Sequence, residues 1–263
     1  MRSLTRAIKG ADSGGAPMPT VLPSLARAGA HIRRGEVTMI AGEPGAGKSM
    51  IALWLSINWA GAGHLGIYFS ADSSELVAAS RTGAMVSGTP VKEMEARLQA
   101  GDPEALAVIK STDGISWCFD PEITLDGIDL ELSAHEEAWG RLPDFLIIDN
   151  ATDVEQMDAD EFGALRRVMK TLTYVARTTS AAVVVLHHTS EAEKSNPCPP
   201  RKAIMGKIAA KPAVILTTAE GFRAGEKPVA IVKNRFGPSD KTGQTFIPLR
   251  YDTQSMRFED LGI

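Results

Sequence analysis

The sequence predicts a doubly wound α/β fold: a central, mostly parallel sheet flanked by helices, with antiparallel strands at the C-terminal end. Apolar stretches of strand length alternate with stretches of helical periodicity through most of the 263 residues. The C-terminal part then contains three strand-like stretches in close succession. Since 44% of the residues are hydrophobic, the chain can bury one substantial core, and we expect a single domain.

The order of the elements follows from the spacing of apolar residues. Residues 1–20 are rich in Gly, Ala, Ser and Pro and are expected to form a flexible tail before one domain over residues 21–263. The predicted strands are residues 37–41, 65–70, 115–119, 144–150, 181–186, 213–218, 229–233 and 245–251. The predicted helices are residues 50–60, 74–86, 91–99, 103–110, 125–139 and 158–178.

Residues 42–49 read Gly-Glu-Pro-Gly-Ala-Gly-Lys-Ser and match the phosphate-loop pattern G-x-x-x-x-G-K-[ST] at every position. They follow a predicted strand and lead into a predicted helix, which is the context that the pattern requires. Glycines without a Cβ let backbone N–H groups turn toward an anion, and the helix N-terminus adds its positive end. A chance glycine-rich turn is the alternative, but it would not explain the full match. The pattern predicts a nucleoside triphosphate site.

The residue types in this loop suggest their roles. Lys48 is expected to reach the β- and γ-phosphates, and the hydroxyl of Ser49 is expected to bind Mg²⁺. The predicted cofactors are therefore ATP and Mg²⁺. The residues predicted to contact the nucleotide here are Glu43, Pro44, Gly45, Ala46, Gly47, Lys48, Ser49 and Met50.

A second nucleotide signature closes the predicted strand 144–150, where four apolar residues precede Asp149. An acidic residue at the end of a buried strand beside a phosphate loop holds Mg²⁺ directly or through water. Four apolar residues before an Asp also occur by chance. Because this strand follows a complete phosphate loop by about a hundred residues, we interpret Asp149 as a metal-binding residue together with Ser49.

Two adjacent histidines, His187 and His188, follow the predicted strand 181–186. A shared metal ion is one interpretation, but neighbouring residues on a strand point to opposite faces, so that one ion rarely binds both. We favour a polar sensor that faces the γ-phosphate and assign that role to His188. The alternative is a histidine that only satisfies hydrogen bonds of its loop.

Charge is distributed unevenly although the net charge is only −4. Acidic residues predominate between residues 72 and 162, and basic residues between 190 and 250, so that one face could hold a polyanion; ordinary solvated surface is the alternative. The polar, Pro-rich residues 191–202 are expected to be mobile. No apolar run approaches the length of a membrane span and the two cysteines form no metal-like spacing, so we expect a cytoplasmic protein.

Four short segments occur at spacings typical of one family. They are Phe69-Ser70-Ala71-Asp72, Arg81 nine residues further on, Leu186-His187-His188-Thr189 and Lys233-Asn234-Arg235-Phe236-Gly237. Over about residues 20–251 the chain resembles the RecA-like motor domain of hexameric replicative helicases of the DnaB and plasmid RepA type. The resemblance implies a RecA-like phosphate-loop NTPase core.

The resemblance also implies roles for individual residues. In such a helicase Asp72 would polarise the attacking water, and Lys233 and Arg235 would complete the ATP site of a neighbouring subunit. Together with Lys48 and His188 they form the predicted catalytic set, and Arg81 would lie near the adenine base. The resemblance implies a homo-oligomer, either a hexameric ring or a filament.

Residues 190–210 occupy the position of the DNA-binding loop of the same family. Lys194, Arg201, Lys202 and Lys207 would contact the phosphates of single-stranded DNA without reading sequence. Two departures weaken the match: Asp72 replaces the usual glutamate, which predicts slow turnover, and we expect no counterpart of the N-terminal domain of DnaB. The alternatives are a RecA-like recombination or strand-annealing ATPase and a KaiC-like regulatory ATPase.

Some of these residues also have ordinary structural explanations. Arg81 could be a solvated helix residue. Lys233 and Arg235 could be charges that keep an edge strand from aggregating. The basic segment could serve solubility alone. These alternatives remain open at the level of the sequence.

Overall fold

The computed structural model describes residues 15–154, 161–190, 196–221 and 223–260, with the side chains of residues 161 and 162 outside this description. Its helices are α1 (Pro23–Arg27), α2 (Lys48–Gly61), α3 (Glu75–Ser87), α4 (Val91–Gln99), α5 (Pro103–Lys110), α6 (Leu125–Trp139) and α7 (Glu161–Thr179). Its strands are β1 (Val37–Gly42), β2 (Gly66–Ser70), β3 (Ile115–Cys118), β4 (Phe145–Asp149), β5 (Ala182–His188), β6 (Val214–Thr218), β7 (Glu226–Asn234), β8 (Ile247–Tyr251) and β9 (Phe258–Glu259).

All nine of these strands form one sheet in the order β3-β2-β4-β5-β1-β6-β7-β8-β9. The first six in that order are parallel, and β7, β8 and β9 add antiparallel ladders at the other side. The predicted α/β class, with a mostly parallel sheet and an antiparallel C-terminal end, is confirmed. The short strand β9 was not predicted.

Helices cover both faces of the sheet because successive residues of a strand point to opposite sides. On β1, Met39 and Ala41 belong to the core that packs under α6 and α7, whereas Ile40 belongs to the core under α2. A third, small cluster joins α3, α4 and α5. The parallel strands, which are covered on both faces, are buried along almost their whole length.

The carboxyl ends of the parallel strands lie at one edge of the sheet, where open α/β sheets bind ligands. β1 ends at Gly42, which pairs with His188 of β5, and β2 ends at Ser70, which pairs with Asp149 of β4. The strand register therefore brings the phosphate loop, the strand-terminal aspartate and the histidine pair to the same edge.

Residues 15–20 pack onto the domain, which corrects the expectation that the tail extends to residue 20. Met18 is 4% exposed, and its N–H donates to the carbonyl of Ile32 at 2.8 Å. The indole Nε1 of Trp59 donates to the carbonyl of Pro19 at 3.0 Å. The composition of this segment suggested mobility, but α2 supplies a buried tryptophan that the segment covers. The prediction for residues 1–14 lies outside the described residues.

Residues 196–210 are also ordered by contacts, whereas the Pro-rich composition predicted mobility. Cys198 is completely buried, and Ile204 forms a β-bridge with Thr189. Two 3₁₀ turns, Arg201–Ala203 and Met205–Lys207, replace regular structure. Within the described ranges, no helix has both the length and the apolar character needed to cross a bilayer.

Candidate active site

The phosphate loop has the backbone conformation that its glycines permit. Gly45 and Gly47 have φ values of +80° and +90°, which favour glycine. A Cβ on Gly42 would lie 2.5 Å from the carbonyl oxygen of Thr218 at the end of β6, so the first position also requires glycine. α2 begins at Lys48, directly after the loop. The N–H groups of the loop and the N-terminus of α2 together form an anion site.

Lys48 lies at the centre of this site and is 7% exposed. Its Nζ donates to the carbonyls of Gly42 at 3.1 Å and Glu43 at 3.0 Å, and it lies 3.5 Å from Nδ1 of His188. Burial lowers the pKa of Lys48, while the negative charge of Asp149 acts in the opposite direction. The ammonium is therefore positioned at the mouth of the loop, where it can neutralise phosphate charge.

Asp149 presents a buried carboxylate beside the hydroxyl of Ser49. Its Oδ2 accepts a hydrogen bond from the hydroxyl of Tyr68 at 3.0 Å. Burial raises the pKa of Asp149, and hydrogen bonds from Ser49 and Tyr68 oppose that rise. A carboxylate and a hydroxyl that face each other are oxygen donors of the kind that Mg²⁺ prefers, so these residues fit the expected metal.

His188 lies between the lysine and a group of carboxylates. Its Nε2 is 3.5 Å from the amide nitrogen Nδ2 of Asn150. Burial and the charge of Lys48 lower the pKa of His188, and Asp153 and Asp72 oppose this. Burial raises the pKa of Asp153. His188 is thus close to the groups that would surround a γ-phosphate.

His187 points to the other face of the sheet. It is completely buried, and its Nε2 lies 3.1 Å from the carbonyl oxygen of Met205, which makes Nε2 the donor. Burial lowers the pKa of His187 to about 4, so the ring is neutral near pH 7. The opposite orientations of the two histidines do not suit a shared metal ion.

Asp72 and Arg81 approach the same site from the region after β2. Asp72 is exposed, and its charge acts on the titration of Asp149, Asp153 and His188. Arg81 lies on α3 and lines a cavity together with Ser49 and Asp149. The structure therefore brings together Lys48, Ser49, Asp72, Arg81, Asp149 and His188 in one chain.

Tyr68, Asn150 and Asp153 belong to this site although sequence reasoning missed them. Asn150 and Asp153 are neighbours of Asp149 in the sequence, and the N–H of Asn150 donates to the Asp153 carboxylate at 3.0 Å. Their proximity to Asp149 was the available signal. No local signal identifies Tyr68, because its contact depends on the pairing of β2 with β4.

Lys233 and Arg235 lie at the opposite edge of the sheet. β7 is antiparallel to β6, so Lys233 pairs with Ile215, which in turn pairs with Met39 in the middle of β1. Nζ of Lys233 donates to the carbonyls of Ala209 at 2.8 Å and Ala210 at 2.7 Å.

The guanidinium of Arg235 donates to the same part of the chain, to the carbonyls of Ala210 at 3.2 Å and Lys211 at 3.1 Å. Burial, followed by the charges of Arg235 and Arg201, lowers the pKa of Lys233 to about 8. Neither side chain belongs to the phosphate site of its own chain. A role in catalysis would therefore require a second copy.

We call residues 196–211 the basic segment. Its cationic residues are Arg201, which is half-buried, and Lys202, Lys207 and Lys211, which are exposed. The contacts of Thr189 with Ile204 and of His187 with Met205 connect the segment to the end of β5. Lys194, which was predicted to bind DNA, lies outside the described residues.

Comparison with known proteins agrees with this architecture. A protein-family model described as an AAA domain matches residues 19–194. The gene 65 protein of Mycobacterium phage L5 is 32% identical over 259 residues, with 95% of both chains covered. The DNA repair protein RadA of Mycobacterium tuberculosis is 27% identical over 234 residues, and the match spans 86% of this chain but only 41% of RadA.

Solved structures show the same fold at low sequence identity. A DnaB-like replicative helicase, described with its primase interactions, matches 98% of the chain with a TM-score of 0.79 and 16% identity, covering 66% of its own chain. A separately solved ATPase domain matches 98% of the chain and 96% of its own length with a TM-score of 0.78 and 16% identity. The RadB recombinase matches 89% of the chain and 95% of its own length with a TM-score of 0.60 and 14% identity.

Proposed function

The chain belongs to the AAA-domain family of ATPases, and from this premise we propose that it is an ATP-dependent DNA motor. In this proposal it is a helicase or a single-stranded DNA translocase of the DnaB/RepA type, which hydrolyses ATP at the interfaces of a homo-oligomer. The fold shared with a DnaB-like helicase over 98% of the chain supports the comparison. The activity and the assembly are inferences from the site.

Within one chain, the loop amides and Lys48 bind the phosphates, and Asp149 and Ser49 would hold Mg²⁺. When bound, the metal ion supplies positive charge to the phosphate oxygens. Asp72 orients a water for attack on the γ-phosphorus, the bond from that phosphorus to its bridging oxygen breaks, and ADP leaves. His188 is close enough to Lys48 to respond to loss of the γ-phosphate.

The single observation that supports an oligomeric site most strongly is the location of Lys233 and Arg235. Lys227, on the same strand, lies beside Gly47 of the phosphate loop. Six residues of extended strand separate Lys227 from Lys233, which corresponds to about 20 Å. We therefore infer that Lys233 and Arg235 give up their carbonyl contacts and bind the triphosphate of a neighbouring copy, where positive charge stabilises the transferring phosphoryl group.

Mixing two inactive variants tests this arrangement. Lys48→Ala and Arg235→Ala should each lower the ATPase rate at least about a hundredfold. Their mixture should regain part of the activity, because an interface formed by an intact phosphate loop and an intact Arg235 then exists. A mixture no more active than the separate variants, although the two copies co-assemble, would contradict the shared site. A strictly monomeric protein with full ATPase activity would also contradict it.

A recombination or strand-annealing ATPase is the second candidate. The similarity to RadA over 86% of this chain favours it, since that relative is described as a DNA repair protein. A forked duplex separates the two candidates: ATP-dependent strand separation supports the motor, whereas annealing of complementary strands without separation supports the alternative. An ATPase rate that single-stranded DNA leaves unchanged, even at low salt, would favour a KaiC-like regulatory ATPase.

A further inference from the structure

Lys227 is a cationic residue of β7 that lies against the phosphate loop of its own chain. A Cβ placed on Gly47 would be 3.2 Å from Cε and 3.4 Å from Nζ of Lys227. The aliphatic stem of Lys227 therefore occupies the space that the missing side chain of Gly47 leaves. Gly47 directly precedes Lys48 and the first turn of α2, so the ammonium of Lys227 is close to the groups that bind phosphate.

The ammonium of Lys227 has no hydrogen-bond acceptor and no ion-pair partner among the residues that the structure describes. Its neighbours there are the ring of Tyr251, whose centroid is 5.7 Å from Nζ, and the more distant charge of Glu220. Lys227 is half-buried, and burial lowers its pKa, which Glu220 opposes. A partly buried ammonium without an acceptor retains three donors for a ligand.

The position of Lys227 relative to α2 indicates which part of a nucleotide it would reach. Tyr251, which lies under the ammonium, also contacts Met50 in the first turn of α2, with its hydroxyl 3.7 Å from the sulfur. Lys48, by contrast, is on the side of the loop that faces His188. The two lysines therefore approach the loop from different sides, and Lys227 is on the side away from the γ-phosphate groups.

We propose that Lys227 binds the nucleotide held by its own chain, with its ammonium on a phosphate oxygen at the ribose end, the α-phosphate. A lysine is a compact charge that suits a phosphate oxygen, and a charge-assisted bond of this kind contributes to affinity for the diphosphate and the triphosphate alike. The inference rests on nucleotide binding by the phosphate loop. It does not depend on DNA binding, oligomerisation or hydrolysis.

Lys227→Met tests the proposal, because methionine keeps an apolar stem over Gly47 and Tyr251 and removes the charge. Binding of Mg·ADP and Mg·ATP to the full chain should weaken about 10- to 100-fold, by a similar factor for both. Lys227→Arg should retain affinity within a few-fold. Lys92→Met, the same change at an exposed lysine of α4, is the matched control and should bind both nucleotides as the unmodified chain does.

Two outcomes would overturn the proposal. Undiminished ADP affinity in Lys227→Met would show that the ammonium makes no contact with the nucleotide. A loss confined to ATP would place the contact at the γ-phosphate instead. The thermal midpoint without nucleotide should stay the same in Lys227→Met, which distinguishes a lost contact from a damaged fold. If the unmodified chain binds neither nucleotide, the phosphate site itself fails, which is a different result from a failure of Lys227.

Discussion

Two adjacent histidines at the end of β5 differ in chemistry because they face different surroundings. His188 is half-buried among Lys48 and several carboxylates, whereas His187 is completely buried and bonded to the carbonyl of Met205. Strand geometry predicted the opposite orientations from the sequence. The partner of His187 could not be predicted, because Met205 reaches β5 only through the fold of the basic segment.

The low pKa of His187 predicts a loss of stability in acid. The unfolded chain binds a proton at this histidine below about pH 6.5, whereas the folded chain does so only near pH 4. Because the unfolded state then binds more protons, the free energy of unfolding falls as the pH falls between these values, by up to about 3 kcal/mol.

Urea unfolding of the unmodified chain and of His187→Gln, measured at several values between pH 7 and pH 4, tests this expectation. Glutamine keeps an N–H donor for the carbonyl of Met205 but does not titrate. The variant should therefore show a clearly shallower decline than the unmodified chain. Parallel declines would indicate that another group, not His187, dominates the acid sensitivity.

The residues of the phosphate site were largely predictable where sequence position decides geometry. Lys48 follows a strand in a known loop pattern, and Asp149 and His188 follow strands whose carboxyl ends must meet in a parallel sheet. Tyr68 could not be predicted, because its hydroxyl reaches Asp149 only through the register of β2 with β4. Lys227 was missed for a similar reason, since its stem fits against Gly47 only when β7 folds back along β6.

At the level of elements, the basic segment shows how distant contacts override composition. Its Pro-rich start suggested mobility, yet the N–H of Arg201 donates to the carbonyl of Lys241 at 3.0 Å, and Asn196 donates to the carbonyl of Thr242 at 3.2 Å. These partners lie about forty residues further along the chain. No local pattern in the segment could therefore have predicted its order.

The start of β7 was also missed, because the predicted strand began at residue 229 and the observed strand begins at Glu226. Pro228 weakens a strand prediction, since proline cannot donate to a ladder. Here Pro228 pairs with Pro248 of β8, in an antiparallel ladder that tolerates both prolines. The three additional residues bring Lys227 into the strand, and β7 then runs from the phosphate loop to Lys233 at the opposite edge.

Gly243 should be essential for docking the basic segment. Its φ is +74°, and a Cβ there would lie 2.4 Å from the carbonyl oxygen of Cys198, which is completely buried. Gly243→Ala should therefore destabilise the chain by more than the roughly 1 kcal/mol that a strained φ alone costs, and should expose Cys198 to thiol reagents.

Gly140→Ala is the matched control for this change. Gly140 also has a positive φ, of +68°, but a Cβ there would meet no atom within 4 Å. Thermal unfolding and the rate of Cys198 labelling should be measured for both variants. Equal destabilisation, with equally protected Cys198, would show that the close contact of Gly243 with the segment is unimportant.

For the molecule as a whole, the arrangement separates two proposed tasks on opposite edges of one sheet. The phosphate loop, Asp149 and His188 occupy the edge where the parallel strands end, and Lys233 lies toward the other edge. The basic segment connects these edges, because it leaves β5 beside His188 and ends where Ala213 donates to the carbonyl of Val37 at the start of β1. Nucleotide state and basic segment are therefore in physical contact through β5.

If the basic segment binds single-stranded DNA, its exposed lysines should determine the salt dependence of binding. Lys202 and Lys207 are exposed, as are Lys92 and Lys110 on α4 and α5. The double variant Lys202→Ala/Lys207→Ala should weaken binding of an oligothymidylate and lower the slope of log affinity against log salt by about 1.4 per chain, because each lost phosphate contact on a single strand removes about 0.7.

The double variant Lys92→Ala/Lys110→Ala removes the same charge elsewhere and is the control for that experiment. Affinity measured by fluorescence anisotropy over a range of salt concentrations should be close to that of the unmodified chain for this control. Equal slopes for both double variants would mean that net charge alone governs the interaction. The basic segment would then not be the DNA site, although the nucleotide site and its Lys227 contact would be unaffected, because they lie beside the phosphate loop.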